Sequence, residues 1–99
     1  MEPEVIFHRL VQRYMNGARR FYTEEANLEV ADRFYLRFLG IVEKALADPK
    51  RYHPVHDHLR RANISGFPYH FLYRVTATGI RVLVLRHHKR HPSFGLRRK

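Results

Sequence analysis

The chain of 99 residues contains no cysteine and no tryptophan. The absence of cysteine excludes disulfides and thiolate metal ligands, which fits a reducing compartment. No stretch approaches the ~18 consecutive apolar residues of a membrane-spanning helix, and charges interrupt the amino-terminal segment, unlike a secretory signal. We therefore expect a cytoplasmic protein that does not contact a membrane, and no motif indicates a cofactor.

Acidic residues are also missing from a large part of the chain. Residues 1–57 contain nine Lys or Arg and nine Asp or Glu, whereas residues 58–99 contain ten Lys or Arg and no acid. The whole formal charge of +10 therefore lies in the second segment. Because a folded domain bears such self-repulsion more readily when a partner relieves it, this asymmetry favours a polyanionic or acidic partner. The alternative is a charged surface that is merely solvated.

The chain does contain regular patterns for two helices and four strands. Val5–Phe7 is short and β-prone, and apolar residues at three- and four-residue steps then predict helices over 10–22 and 28–46. Asp48-Pro49 ends the second helix, because the residue before proline is pushed out of the α region. Residues 49–58 are interpreted as a loop. Alternating and β-prone residues predict three further strands, over 59–64, 68–75 and 80–86.

The predicted order is β-α-α-β-β-β, an α+β fold in which a helical hairpin packs on one face of a small, mostly antiparallel sheet. We expect one domain over residues 1–99, with 93–99 as a basic tail. Alternation along 68–75 places Tyr69, Phe71, Tyr73 and Val75 on one face and His70, Leu72 and Arg74 on the other. We expect the face without helices to be partly open and to carry the arginines.

Two other groups of residues have both a structural and a functional interpretation. Phe34, Phe38, Phe71 and Tyr73 follow the periodicity of their elements, so we predict core positions rather than surfaces that stack on bases. His53, His56, Asp57 and His58 crowd one loop, but no helical spacing holds them on one face. We therefore predict no metal site there.

The ordered set of segments ALADPKRYHPV, HLRRANISGFPYHFLYRV, IRVLVLRHH and KRHP resembles the RelE/ParE superfamily of toxins from type II toxin–antitoxin modules. The most specific parts are Leu59–Arg61, the Phe67–Val75 segment and His87–Pro92, and the resemblance covers about residues 4–92. It implies a small basic toxin that arrests growth in a toxin–antitoxin hetero-oligomer. It also implies a cognate antitoxin whose acidic C-terminal segment covers the basic surface.

The superfamily contains two chemistries, and the resemblance leaves both open. RelE-like members cut mRNA on the ribosome without a metal, which requires a base, an acid and a cation near one phosphate. For that branch the catalytic candidates are Arg61, His70, His88 and Arg90. The last tyrosine of this chain is Tyr73, however, and Phe94 lies where a late catalytic tyrosine would stand.

ParE-like members are not nucleases and act on DNA gyrase, and the pattern of this chain is closer to that branch. This action requires a rigid basic scaffold rather than a proton-transfer group. The residues expected to contact the antitoxin or the target are Arg60, Arg61, Arg74, Arg86, Lys89 and Arg90. The main prediction is a toxin that inhibits gyrase. The alternatives are a ribosome-dependent endoribonuclease and a non-toxic nucleic-acid-binding module.

Overall fold

Two helices pack on a five-stranded mixed sheet in the computed structural model, which describes residues 2–99. The elements in chain order are β1 (Glu4–Phe7), α1 (Arg9–Glu25), α2 (Leu28–Ala47), β2 (Pro54–His56), β3 (Leu59–Ile64), β4 (Tyr69–Thr76) and β5 (Gly79–His87). The sheet order is β1-β5-β4-β3-β2, in which β1 pairs parallel with β5 and the other neighbours are antiparallel. The predicted fold class is confirmed, with one additional strand.

The additional strand, β2, lies in the segment that was interpreted as a loop. It pairs irregularly with the start of β3, with Pro54 opposite Arg60 and His56 opposite Leu59. Asp57 then adopts a positive φ of 49°, which turns the chain into β3. A strand of three exposed residues is too short to show an alternating pattern, and its proline is tolerated because the strand forms the edge of the sheet.

Each helix begins at a side chain that accepts a hydrogen bond from the first turn. At α2 the cap is Asn27, whose Oδ1 accepts from the Val30 N–H at 2.9 Å. At α1 the cap is His8, whose Nδ1 accepts from the Leu10 N–H at 3.1 Å. Such a bond requires an unprotonated Nδ1.

Within residues 2–99, neither helix combines the length and apolar content required to cross a bilayer.

The main core lies between the helices and the sheet, and the four predicted aromatic core residues are all buried in it. Phe38 packs edge-on against Phe71 with ring centroids 5.4 Å apart. Tyr73 is fully buried, and its hydroxyl donates to the Pro49 carbonyl at 2.7 Å. This bond satisfies the one polar atom of a large apolar side chain and also holds the chain beyond α2 against the sheet.

The strongly apolar strand β5 lies inside the sheet, as predicted, between β1 and β4. Its first residue is Gly79, beside which β1 begins: the Glu4 N–H donates to the Thr78 carbonyl at 2.9 Å. A Cβ at position 79 would collide with the Glu4 backbone. Glycine is therefore required there by the close approach of the parallel strand.

The sheet face without helices, here called the outer face, is partly covered by the C-terminal segment. Phe94 and Leu96 pack on a second cluster of buried residues formed by Leu59, Leu72, Leu83 and Val84. Gly95 lies between the two packed residues with a φ of 81°, and a Cβ there would be 2.5 Å from Cγ2 of Val84. Residues 93–99 were expected to be a basic tail. Part of that segment instead closes a small second core.

Candidate functional site

The register of the sheet places four polar side chains together on the outer face, where β4 begins and β5 ends. His70 of β4 lies directly opposite Arg86 of β5, and Arg61 enters from β3. His88 follows the last residue of β5, and its backbone N–H donates to the Pro68 carbonyl at 2.9 Å. These four residues, Arg61, His70, Arg86 and His88, are called the histidine–arginine cluster below.

Hydrogen bonds join the cluster into one chain of donors and acceptors. Arg86 Nε donates to His70 Nε2 at 2.8 Å, and His70 Nδ1 lies 2.9 Å from His88 Nδ1. Arg61 Nη2 lies 3.3 Å from the same His88 Nδ1. The planes of the two imidazole rings are nearly parallel, inclined by 19°, and their centroids are 5.1 Å apart. Sequence reasoning proposed Arg61, His70 and His88 as one site, and the structure brings these three together.

The direction of each bond assigns the proton positions on both histidines. A guanidinium can only donate, so His70 Nε2 accepts and neutral His70 carries its proton on Nδ1. That proton is donated to His88 Nδ1, which also accepts from Arg61. His88 therefore carries its proton on Nε2. Since His88 is an exposed side chain, this N–H is available to a ligand.

Both histidines are neutral at pH 7. Burial, followed by the charges of Arg61 and Arg86, lowers the pKa of His70 to about 3. Burial, followed by Arg61, also lowers the pKa of His88. The buried imidazole of His70, only 1% exposed, thus acts as a neutral link between two guanidinium groups. A protonated histidine would be unfavourable at either position because it would lack an acceptor and face like charge.

Arg86 is 8% exposed, and its buried charge is matched by neutral acceptors rather than by a carboxylate. Besides His70, its Nη1 donates to the carbonyls of Pro92 and Phe94, each at 2.9 Å. Burial, followed by Arg61, lowers the pKa of this guanidinium. Arg86 therefore fastens the C-terminal segment to the outer face, a role that the sequence did not indicate.

Arg90, the fourth catalytic candidate, lies over aromatic rings instead of joining the cluster. Its guanidinium is 4.5 Å from the centroid of Phe94 and 5.7 Å from that of Tyr14. Arg98 lies over the same two rings, at 5.0 and 5.5 Å. Tyr14 and Phe94 themselves meet edge to face at 5.3 Å. The two arginines and two rings tie the C-terminal segment to α1 by cation–π contacts.

The other predicted contact residues differ in exposure and in the hydrogen bonds that their side chains make. Arg60 lies on the helix side of β3, and its Nη1 donates to the carbonyls of Tyr52 at 2.6 Å and Lys50 at 3.3 Å. Lys89 is exposed. Arg74 lies on the outer face, half-buried and directly opposite Arg81.

Arg81 is an outer-face residue that the site prediction did not include. Its Nη2 donates to the Lys99 carbonyl at 2.9 Å, and its buried Nε has no partner among residues 2–99. Continuous apolar residues hide the alternation along 80–86, so no pattern assigned this arginine to one face of the sheet.

The His-rich loop does not converge on one point. His56 Nε2 lies 3.3 Å from Asp57 Oδ2, and both side chains are exposed. In the part of the chain that the structure describes, no three His, Cys, Asp or Glu side chains lie close enough to hold a metal ion.

Comparison with known proteins shows a likeness in fold. No protein-family profile and no curated protein sequence matches the chain. The fold is similar to a chain of a solved structure described as "Chromosomal ParDE TA system from P. aeruginosa", with a TM-score of 0.76 and 15% identity. The match covers 86% of this chain and 95% of that chain. At this identity the likeness establishes the fold, and it confirms at that level the resemblance seen in residues 4–92.

Proposed function

We propose that this protein is the toxin of a type II toxin–antitoxin module and acts in the cytoplasm. The observation that carries the proposal is the fold, which over most of the chain is that of a component of a ParDE system. The uncompensated charge of residues 58–99, called the basic layer below, supports it independently, because such a layer is suited to an acidic partner that neutralises it. The proposed partner is a cognate antitoxin with an acidic segment.

Inhibition of DNA gyrase is the proposed action, rather than cleavage of mRNA. Metal-independent cleavage requires a group that accepts a proton and a group that donates one near a single phosphate. In the histidine–arginine cluster, Nδ1 of His88 already accepts two hydrogen bonds, and the pKa of His70 is about 3. Residues 58–99 contain no carboxylate that could serve as the base, and Arg90 lies over Phe94. These features favour a scaffold over a nuclease.

The proposed contact surface consists of Arg61, Arg74 and Lys89, whose side chains donate to no backbone carbonyl within residues 2–99. Arg60 and Arg86 were predicted to be contacts as well. Their guanidinium groups donate to carbonyls and to His70 within the fold, so we assign them to holding the layer together. Arg90 presents an exposed guanidinium at the border of the C-terminal segment and is included as a secondary contact.

Induced expression in a bacterium that lacks any antitoxin tests the toxin proposal. Growth should stop after induction, and the purified protein should inhibit supercoiling by gyrase or trap its cleavage complexes. The same preparation should leave mRNA intact in translating ribosomes. Normal growth at good expression would contradict the toxin proposal, whereas mRNA cleavage without an effect on gyrase would move the protein to the alternative chemistry.

Matched variants separate the two actions. If the protein were a nuclease, His88→Ala and Arg90→Ala would abolish mRNA cleavage, because each removes a catalytic candidate. If the proposed action is correct, His88→Ala retains growth arrest, since inhibition by a scaffold requires no proton transfer at His88. Arg33→Ala, on the exposed side of α2, is the control for nonspecific effects of removing a cation.

A further inference from the structure

The two edges of the sheet differ in how well they are protected from pairing with another strand. Strand β2 forms one edge, where Pro54 lacks an N–H and the register with β3 is irregular. Strand β1 forms the other edge and pairs regularly with β5. Within its four residues it contains neither a proline nor a bulge, and Ile6 and Phe7 are 45% and 40% exposed. An unprotected apolar edge of this kind favours association with another strand.

The hydrogen bonds between β1 and β5 show which backbone groups are left at this edge. The N–H groups of Glu4 and His8 donate to carbonyls in or beside β5, at 2.9 and 2.8 Å. His8 still has an extended backbone, with φ −60° and ψ 141°. Because backbone groups alternate in direction along a strand, the N–H and C=O groups of Val5 and Phe7 point away from β5. Two donors and two acceptors are therefore left without a neighbouring strand.

We propose that β1 pairs antiparallel with β1 of a second copy of this chain, across a two-fold axis at Ile6. In this register Val5 of each copy lies opposite Phe7 of the other, and each of these pairs exchanges two backbone hydrogen bonds. All the open groups of both strands are used, and the two sheets become one continuous sheet. The pairing does not rest on the proposed function.

The same register matches the apolar side chains on both faces of β1. On the outer face, Ile6 meets Ile6 of the second copy at a position without hydrogen bonds, where opposite side chains are closest. On the helix side, Phe7, whose ring centroid is 6.1 Å from that of Phe38, packs beside Val5 of the second copy. The exposed apolar surface of β1 is thus covered by its own equivalent.

The helical layer leaves room for this pairing. Helix α1 packs mainly on β5, one strand in from the edge. In the paired sheet, three strand spacings, about 14 Å, therefore separate the two α1 helices. Packed helices approach to about 8–10 Å, so the two helices do not collide.

Charged and polar groups favour the pairing locally and oppose it only at a distance. Glu4 lies opposite His8 of the second copy, on the outer face. Because His8 Nδ1 accepts from the Leu10 N–H, its neutral ring carries the proton on Nε2 and can donate it to that carboxylate. Arg81 lies beside Ile6 in the sheet and faces its equivalent across three strand spacings. This separation of about 14 Å exceeds the Debye length of about 8 Å at physiological salt.

Disulfide trapping tests the register, because the chain has no cysteine of its own. The Cα atoms of an antiparallel pair without hydrogen bonds are about 4.5 Å apart, a distance that a disulfide bridges. Under mild oxidation of the purified protein, Ile6→Cys should be converted to a covalent dimer, detected by non-reducing electrophoresis and mass spectrometry. The matched control is Val55→Cys on β2, which is 51% exposed at the protected edge and should stay largely monomeric.

Sedimentation equilibrium tests the pairing without a crosslink. A pair of short strands is a small interface, and interfaces below about 1,200 Å² are weak, so the wild type should show dimer only at high concentration. Ile6→Lys places like charges directly opposite each other and should abolish the dimer, whereas Val55→Lys should leave it unchanged. Added salt should strengthen the dimer, because it screens the repulsion between two chains of formal charge +10.

Amide hydrogen exchange identifies the residues that pair. The N–H groups of Val5 and Phe7 should exchange more slowly as the protein concentration rises, and Ile6→Lys should remove this protection. Thermal unfolding confirms that each variant is folded. Protection that does not change with concentration would contradict the pairing.

A covalent dimer of Ile6→Cys, together with a concentration-dependent dimer that Ile6→Lys removes, supports the pairing. The proposal is overturned if the wild type is monomeric at every concentration, if Val55→Cys crosslinks as readily, or if Ile6→Lys still dimerises. In oxidised cells that express Ile6→Cys, a crosslinked species whose mass is not twice that of the chain would assign the edge to a different protein and overturn the proposal. These experiments measure association rather than growth, so their failure is distinct from failure of the toxin proposal.

Discussion

The neutral state of buried His70 makes the stability of this protein depend on pH in a defined direction. The pKa of His70 is about 3 in the folded protein, compared with 6.5 for an ordinary histidine. The unfolded chain therefore binds a proton below pH 6.5 that the folded chain refuses. The stabilisation is complete above pH 6.5 and is lost as the pH falls from there towards 3.

The size of this pH effect on the free energy of unfolding follows from the linkage between protonation and folding. Between pH 7 and pH 5 the proton taken up by the unfolded chain destabilises the fold by about 2 kcal/mol. For a domain of this size that corresponds to a fall in Tm of about 8–15 °C. Burial also lowers the pKa of His88 and of His8, so these histidines act in the same direction and the total loss is larger.

The assay is thermal unfolding of the wild-type protein and of His70→Gln at closely spaced pH values between 7 and 5. Glutamine can accept from Arg86 and donate to His88, but it does not titrate. The wild-type Tm should fall by about 8–15 °C more than the variant Tm over this range. Parallel curves would refute the reasoning, because they would mean that His70 is protonated in the folded protein and that the inferred hydrogen-bond chain is wrong.

Two further substitutions test the packing and the charge of the outer face. In chemical denaturation, Gly95→Ala should destabilise the fold by about 2–3 kcal/mol, since it combines an unfavourable positive φ with a clash against Val84. The control is Gly40→Ala, whose added Cβ meets nothing within 4 Å. It should stabilise the fold by about 0.5–1 kcal/mol. A Gly95→Ala protein as stable as the wild type would show that the C-terminal segment is not packed on the sheet. Arg74→Glu should raise stability by about 0.5–1 kcal/mol, because it replaces a like-charge pair directly opposite Arg81 by an opposite-charge pair. A decrease measured in the same denaturation series would mean that Arg74 has a stabilising contact.

The elements that the sequence predicted are those long enough to show their period. Strand β3 was predicted with its observed bounds, and the helices differ from prediction only at their ends. Strand β2 was not predicted, because three residues are too few to show alternation. The packing of the C-terminal segment was not predicted for another reason. Its two apolar residues, Phe94 and Leu96, are separated by Gly95 and flanked by charge, so their burial depends on tertiary packing alone.

The candidate site was predicted in part, and the missing part depends on register. Alternation placed His70 on the strand face opposite Phe71 and Tyr73, and in the structure that face is the one without helices. Its partner Arg86 lies 16 residues away, and the pairing depends on an irregularity in β5, where Leu83 is an extra residue between Val82 and Val84. Such a bulge moves every later side chain by one position relative to its neighbour. No pattern within one strand reveals it.

Residues 58–99 contain no acid, and the arginines of this segment donate to neutral acceptors instead. Arg86 donates to His70 and to two carbonyls, Arg60 to the carbonyls of Lys50 and Tyr52, and Arg98 to that of Leu83 at 3.1 Å. Because these acceptors are neutral, they satisfy the hydrogen bonds of the guanidinium groups without cancelling their charge. A carboxylate at any of these positions would stabilise the same geometry and remove the field. The basic layer is thus held by internal hydrogen bonds while its charge stays uncompensated, a combination that suits the anionic partner proposed above.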